Sequence, residues 1–162
     1  MNKLEILKSK ICSREELDNI LNLWSFKNQK IVFTNGCFDI IHRGHVDYLA
    51  KAASLGNKLI IGLNTDDSVS RLKGPQRPLQ DEYSRAMILA AFSFVDKVVF
   101  FDEDTPYELI KYIQPDILVK GSDYKEEDIV GFDILKSKGG EVITIDFVEG
   151  YSTSNIVNKI LK

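Results

Sequence analysis

A chain of 162 residues, 44% hydrophobic and 28% charged, is long enough to bury one α/β core and too ordinary in composition for a disordered or fibrous protein. Its formal net charge of −3 leaves no basic footprint for nucleic acid. Cys12 and Cys37 form no metal or redox spacing, no apolar run is long enough to cross a bilayer, and no signal-type segment opens the chain, so a cytoplasmic protein with neither membrane nor nucleic-acid partner is expected.

Residues 1–29 read as an N-terminal helical extension. Ser13-Arg14-Glu15-Glu16 is a capping box, and Leu17, Ile20, Leu21 and Trp24 follow at helical spacing, a face suited to packing on the domain or, through Trp24, to a dimer contact. Residues 30–162 read as one domain. Ile31 to Thr34 is a β-branched strand, Asn35-Gly36 breaks it, and from His42 the apolar spacing turns helical at Val46, Leu49, Ala50 and Ala53. Gly56-Asn57 closes that helix. Lys58 to Leu63 is a strand apolar enough for burial on both faces of a parallel sheet, which completes a βαβ unit.

Asn64 or Thr65 then caps a short helix to Leu72, and the basic stretch Arg71 to Pro78 is a loop. Asp81 to Phe92 reads as a helix with Met87, Ile88, Ala91 and Phe92 inward. Lys97 to Phe101 is a third strand, followed by an acidic turn at Asp102-Glu103-Asp104. Thr105-Pro106-Tyr107-Glu108 opens a helix through a Thr cap, and Pro115 ends it. Asp116 to Val119 is the fourth strand. A helix over Asp128 to Lys138 closes at Gly139-Gly140, Glu141 to Ile145 is the fifth strand, and a last helix starts at the hydroxyl run. The alternation predicts an α/β fold: a Rossmann-like open parallel five-stranded sheet with helices on both faces.

The chemistry gathers at strand ends. Both histidines, His42 and His45, fall three residues apart on the first turn of the helix after the first strand. A helix N-terminus has unpaired N–H groups and partial positive charge, so it attracts phosphate, and each imidazole can add a donor. Gly44 lets a phosphate approach the backbone, and Gly36 lets the chain turn. Asp39 is placed to fix the loop, orient a histidine or meet a metal-bound ligand. A zinc site from Asp39, His42 and His45 fits in ligand type, but no other His or Cys pair supports it, so no protein-held metal is expected. Lys73 and Arg77 in the cationic loop are candidates for a triphosphate or sugar phosphate. Arg85 reaches the same phosphates or makes a surface salt bridge, and Asn64 meets substrate or caps a helix. Lys120, Gly121 and Asp123 leave the fourth strand where an anion could be met. Ser152, Thr153 and Ser154 open the last helix, a second phosphate-binding end.

Gly36-Cys37-Phe38-Asp39-Ile40-Ile41-His42-Arg43-Gly44-His45 resembles the Gly-x-Phe-Asp-x-x-His-x-Gly-His signature of the cytidylyltransferase-like nucleotidyltransferases. Tyr151-Ser152-Thr153-Ser154-Asn155-Ile156 resembles that family's Ile-Ser-Thr-Thr-x-Ile motif, with Tyr in the first position and Ser154 for the second Thr. The resemblance covers roughly residues 30 to 162. It implies that His42 and His45 contact nucleotide phosphates and stabilise charge at the α-phosphate, with Lys73 completing the catalytic set. Together with the residue reading, it assigns Asn35, Gly36, Cys37, Phe38, Gly44, Lys120, Gly121, Asp123, Ser152, Thr153 and Ser154 to the nucleotide, and Asp39, Asn64, Arg77 and Arg85 to the second substrate.

A narrower resemblance is to the branch that adenylylates a heptose 1-phosphate. It rests on Thr34 to Asp39, Arg71 to Gly74, Arg77-Pro78, Glu103 to Pro106, Val119 to Tyr124 and Gly139 to Val142. That branch implies ATP as substrate, Mg²⁺, a sugar phosphate made by a separate sugar kinase, ADP-heptose supply for lipopolysaccharide or another surface glycan, and a homodimer. Two alternatives stay open: cytidylyl transfer to glycerol 3-phosphate or a related small phosphate, and a non-catalytic nucleotide-binding module.

Overall fold

Short apolar strands alternating with amphipathic helices build one parallel sheet in the computed structural model, which describes residues 2–161. In chain order the elements are α1 (Lys3–Lys8), β1 (Ile11–Cys12), α2 (Arg14–Phe26), β2 (Ile31–Gly36), α3 (Arg43–Ala53), β3 (Lys58–Asn64), α4 (Asp66–Lys73) and α5 (Glu82–Ala90). There follow β4 (Lys97–Phe101), α6 (Tyr107–Ile113), β5 (Ile117–Gly121), a 3₁₀ turn (Glu126–Asp128), α7 (Phe132–Lys138), β6 (Glu141–Ile145) and α8 (Thr153–Ile160). The strand order is β1-β4-β3-β2-β5-β6, and every neighbouring pair is parallel.

The expected five strands become six among the described residues. Ile11 and Cys12 pair with Val98 and Val99 at the edge of the sheet. Two residues are too few to show a period of two, so this strand leaves no pattern in the sequence. The N-terminal segment also supplies core. The Ser13 box caps α2 as expected, with Glu16 N–H donating to Ser13 Oγ and Ser13 N–H to Glu16 Oε2. Leu17 and Trp24 then pack with Phe33, Ile60 and Val99 on one face of the sheet. Trp24 is therefore not available as a surface dimer contact; it is buried, with the Lys58 ammonium 5.4 Å from its ring centroid. On the other face, Leu49 and Ala52 of α3 and Ala86 and Leu89 of α5 cover Val32, Leu59, Ile61 and Val98. Among the described residues no helix is long and apolar enough to cross a membrane.

Four local expectations need correction. The buried face of α3 is Gly44, Tyr48, Leu49 and Ala52, leaving Val46 exposed, because Tyr48 finds polar partners inside the sheet. The buried face of α5 is Arg85, Ala86, Leu89 and Ala90, whereas Ile88 and Ala91 are exposed; a buried arginine takes the position an apolar pattern gives to its neighbours. Thr105 does not cap α6, since Pro106 occupies the cap position with no side-chain cap bond. The helix expected from Asp128 is also split. Gly131 at φ +94° separates the 3₁₀ turn from α7, and a Cβ there would lie 2.8 Å from Ile110 Cδ1.

The sheet opens where its order reverses. β2 pairs with β3 along six residues but with β5 only at Val32↔Ile117 and Phe33↔Leu118. Beyond that point side chains replace the backbone ladder. Tyr48 Oη donates to the Val119 carbonyl at 3.1 Å and accepts from Thr34 Oγ1 at 2.8 Å, and Lys120 Nζ donates to Asn35 Oδ1. A crevice at the carboxyl ends of diverging strands is where open α/β sheets take ligands.

Candidate active site

The crevice is a cleft of about 390 Å³. β2 and the loop after it bring Asn35, Gly36, Cys37, Phe38 and Asp39 to its wall, and α3 brings His45. Asn64 enters from β3, Lys73 from the end of α4, Lys120, Gly121 and Asp123 from β5 and its turn, and Thr153 from the first residue of α8. His42, Gly44, Ser152 and Ser154 flank this wall on the same two helix starts, and Arg77 and Arg85 lie outside it. A larger polar groove of about 770 Å³ lies at the opposite edge of the sheet. Its Lys30 and Lys138 are paired with Glu141 and Asp116, so it offers no free cation of that pair.

His42 is the N-cap of α3. Its Nδ1 accepts from Gly44 N–H at 3.1 Å, so the neutral ring carries its proton on Nε2. A Cβ at residue 44 would stand 3.0 Å from that ring, which is why glycine follows. His45 stacks on His42 with centroids 3.9 Å apart and planes at 27°, and the edge of Phe38 meets it at 5.3 Å. Burial pushes the His45 pKa down to about 4, helped by His42 and the Lys73 ammonium, against a weak opposite pull from the Ile40 backbone. Burial also lowers His42. Both rings are therefore neutral at pH 7, able to hydrogen-bond a ligand but carrying no charge. His45 Nδ1 is buried, which leaves Nε2 as the nitrogen a ligand can reach.

Positive charge comes from two lysines. Lys73 is exposed at the C-terminus of α4 and has no salt-bridge partner among the described residues. The turn that carries it is fixed: Arg71 Nε donates to Asp104 at 3.1 Å, and its guanidinium also reaches the Asp102 carbonyl. Lys120 sits deeper. Burial lowers its pKa to about 8, against the raising influence of Asp123 and Cys37. The Cys37 thiol is raised by burial, with Lys73 and Arg85 opposing, and donates to Asn64 Oδ1 at 3.8 Å. It is a thiol at neutral pH, not a nucleophile.

Asp39, Arg77 and Arg85 are engaged by protein groups. Asp39 is 3% exposed, and its carboxylate accepts from Arg77 Nε at 2.6 Å and from the amides of Leu79 and Gln80 at 2.9 Å. Burial raises its pKa, but those three donors outweigh burial and hold it below the usual range. Arg85 is fully buried. Its guanidinium donates to the carbonyls of Cys37 (2.7 Å) and Gln80 (3.0 Å) and to Asp66 Oδ1 (2.8 Å). The expected surface salt bridge or phosphate contact of Arg85 is thus replaced by an internal brace. Every direction its fork offers is filled by protein, because three chain segments leave acceptors inside the domain there. Together Asp39 and Arg85 tie the loops at 37–39 and 77–80 to the start of α4.

Sequence reasoning missed Tyr48, Phe147 and the exposed Tyr124. Phe147 lines the cleft while 54% exposed and stacks on Tyr48 with centroids 5.7 Å apart. A Cβ on Gly121 would sit 2.2 Å from the Phe147 ring, so glycine makes its seat. The signal for Phe147 was positional, two residues past the carboxyl end of β6; that of Tyr48 was its place three residues after His45, on the same helix face. Among the described residues no three His, Cys, Asp or Glu side chains are grouped to hold a metal ion.

The cytidylyltransferase-like family model matches residues 33–159. Bifunctional protein HldE of Campylobacter jejuni subsp. jejuni serotype O:2 is 59% identical over 153 residues, covering 94% of this chain and 32% of the relative. Bifunctional protein HldE of Syntrophotalea carbinolica is 56% identical over 153 residues, covering 94% of this chain and 31% of the relative. The chain spans about a third of the length of these curated relatives. The crystal structure of the lipopolysaccharide core biosynthesis protein from Thermoplasma volcanium GSS1 superposes with a TM-score of 0.64 at 26% identity, covering 75% of this chain and 99% of that one. Pantoate-beta-alanine ligase from Francisella tularensis shares the fold, with a TM-score of 0.61 at 17% identity over 93% of this chain and 77% of that one.

Proposed function

The chain belongs to the cytidylyltransferase-like family, and from that premise we propose that it transfers AMP from ATP to D-glycero-β-D-manno-heptose 1-phosphate, giving ADP-heptose and pyrophosphate. The observation that carries this reading is the stacked, neutral His42–His45 pair on the first turn of α3, sharing one cleft with Lys73, Lys120 and the start of α8. A phosphate oxygen of the sugar phosphate attacks the α-phosphorus in line. The new P–O bond forms as the bond to the bridging oxygen breaks, and that electron pair leaves on pyrophosphate. No covalent intermediate is required, and Cys37, a buried-side thiol, supplies no nucleophile.

Catalysis then rests on positioning and on donors aimed at developing charge. His42 offers Nε2–H, His45 turns its Nε2 to the cleft, the α3 amides add a helix terminus, and Lys73 and Lys120 neutralise charge. Asp39 and Arg85 hold the loops rigid behind them. Mg²⁺ fits as a passenger of the triphosphate, since the cleft's carboxylates, Asp39, Asp104 and Asp123, are scattered and Asp39 is already taken by Arg77 and two amides; bound there, it would supply charge neutralisation. On this reading a sugar kinase supplies the 1-phosphate, the product feeds lipopolysaccharide or another surface glycan, the enzyme works in the cytoplasm, and it pairs as a homodimer. The names of the HldE relatives and of the Thermoplasma protein support the sugar-nucleotide reading.

The test mixes the protein with Mg²⁺, the heptose 1-phosphate and each of ATP, CTP, GTP and UTP, and measures pyrophosphate. Release with ATP alone is expected. Release with CTP alone overturns the choice of base and keeps the chemistry. Release with none, from protein that binds a nucleotide, favours a binding module.

A further inference from the structure

Tyr151 stands where the family motif has Ile, and the structure gives that departure a use. α8 buries none of its residues. Its cap bonds are internal: Asn155 N–H donates to Ser152 Oγ at 3.1 Å, and Asn155 Nδ2 to the Gly150 carbonyl at 3.2 Å. Among the described residues, one hydrogen bond joins residues 150–161 to elements earlier than β6. It runs from Arg43 Nη1 to Tyr151 Oη at 3.2 Å, and the same guanidinium lies 5.3 Å from the Tyr151 ring centroid. Arg43 is the first residue of α3, between His42 and Gly44. Tyr151 precedes Ser152, the cap of α8. The Tyr151 side chain also meets the glycine of the histidine motif: a Cβ at residue 44 would lie 3.3 Å from Tyr151 Cβ.

We propose that Tyr151 and Arg43 are positioning residues that hold the N-terminus of α8 in register with the first turn of α3, so that the two helix starts converge on one polyphosphate. The inference rests on the nucleotide-binding reading of the cleft. The guanidinium grips both the face and the hydroxyl of the tyrosine, and glycine lets the ring close on the helix. Beyond the packing of half-buried Ile156 and Val157, this is the hydrogen bond that sets α8, and its loss frees the second helix start without disturbing the histidines. The ligand class is an extended polyphosphate, long enough to touch both starts; a monophosphate reaches the α3 end alone.

The experiment measures amide hydrogen exchange of residues 152–160 in the free protein, and the Kd for MgATP and for inorganic phosphate, in wild type, Tyr151→Ala, Tyr151→Phe and Arg43→Met. In Tyr151→Ala and Arg43→Met, α8 amides exchange at least tenfold faster. Their Kd for MgATP rises about tenfold (about 1.4 kcal/mol), phosphate affinity is unchanged, and unfolding temperature stays near wild type. Tyr151→Phe keeps the ring over Gly44 and shifts both readouts less than threefold. Unchanged α8 exchange in Tyr151→Ala overturns the latch. Faster exchange with unchanged MgATP affinity overturns its role in binding. Failure of the wild type to bind any nucleoside triphosphate overturns the reading of the cleft instead, while the exchange data still report on the contact.

Discussion

Two helix starts face the cleft, and they are held in opposite ways. The start of α3 is built into the domain: Gly44, Tyr48 and Leu49 are buried, and the loop before it is tied down by Asp39 and Arg85. The start of α8 is attached through Tyr151, and the helix has no fully buried residue, only half-buried Thr153, Ile156 and Val157. Chemistry at the α-phosphate needs donors fixed before substrate arrives, since preorganised dipoles cost no rearrangement during the reaction. Gripping and releasing a polyphosphate tolerates a weaker hold. On the proposed function, the rigid side sets turnover and the loose side sets nucleotide affinity.

The comparison breaks first at the brace. Replacing Arg85 by Ala leaves the Cys37 and Gln80 carbonyls without their donor and opens a cavity in the core, while half-exposed Asp66 is taken up by water, and stability should fall by about 3–5 kcal/mol. Urea unfolding measures it, and Arg85→Lys should recover little, because a point charge does not replace a three-way fork. Near-wild-type stability of Arg85→Ala would mean the rigid side draws its order from elsewhere. Next come the histidines. His42→Ala or His45→Ala should lower turnover by about 10²–10³ with the circular dichroism spectrum intact, the loss expected for one transition-state donor. A change confined to nucleotide KM would move that histidine to the loose side.

The contrast also separates what the sequence could announce from what it could not. The placement of His42, His45, Gly44 and Lys73 at or beside the cleft was readable because it follows from local position, at a strand end, a helix start and a helix end. The Ser13 cap and the Thr65 cap were readable for the same reason, being contacts three residues long. Arg85 was not: its partners lie 48, 5 and 19 residues away, and no spacing rule joins them. Asp39 was placed in the right loop with fixing that loop among its roles, but its partners, residues 77–80, lie about forty positions away and could not be named. Phe147 and Tyr48 gained meaning only once β2 and β5 were seen to part. Strand β1 is too short for any pattern. Positive φ at Phe38 (+45°) is likewise a tertiary result, sustained by its buried ring against Gly36 and His45.

Acid sharpens the rigid side with a smaller effect. The folded pKa of His45, about 4, lies below the ordinary value of 6.5. The folded state thus binds the proton less readily than the unfolded state, so this contribution is fully present above pH 6.5 and is lost as pH falls towards 4. The loss should be on the order of 2 kcal/mol, from ~1.4 kcal/mol per unit discounted for partial exposure. Carboxylates titrate in the same range, so the quantity that isolates His45 is the difference between wild type and His45→Asn. Stability by urea unfolding at pH 7 and pH 4.5 should fall less in the variant. Equal falls would mean the ring takes up a proton in the folded state without cost.

Lys120 gives the smallest effect and the finest test, because it lies between the two sides, on the strand that parts from β2. Its pKa of about 8 leaves it charged at neutral pH and neutral well before an ordinary lysine. In the free enzyme, kcat/KM for the nucleotide should drop as pH rises through about 8, to a plateau about tenfold lower, the worth of one charge-assisted hydrogen bond. Lys120→Arg keeps its charge and should stay level past pH 10, while Lys120→Met should start on the lower plateau at pH 7. The neighbouring thiol does not confuse the profile, since burial raises Cys37 above its ordinary 9. If the drop persists in Lys120→Arg, some other group titrates there, and the lysine serves only to bridge the parted strands through Asn35. If it vanishes, the strand gap is bridged by the same ammonium that meets the nucleotide, and the opening of the sheet and the binding of its ligand share one side chain.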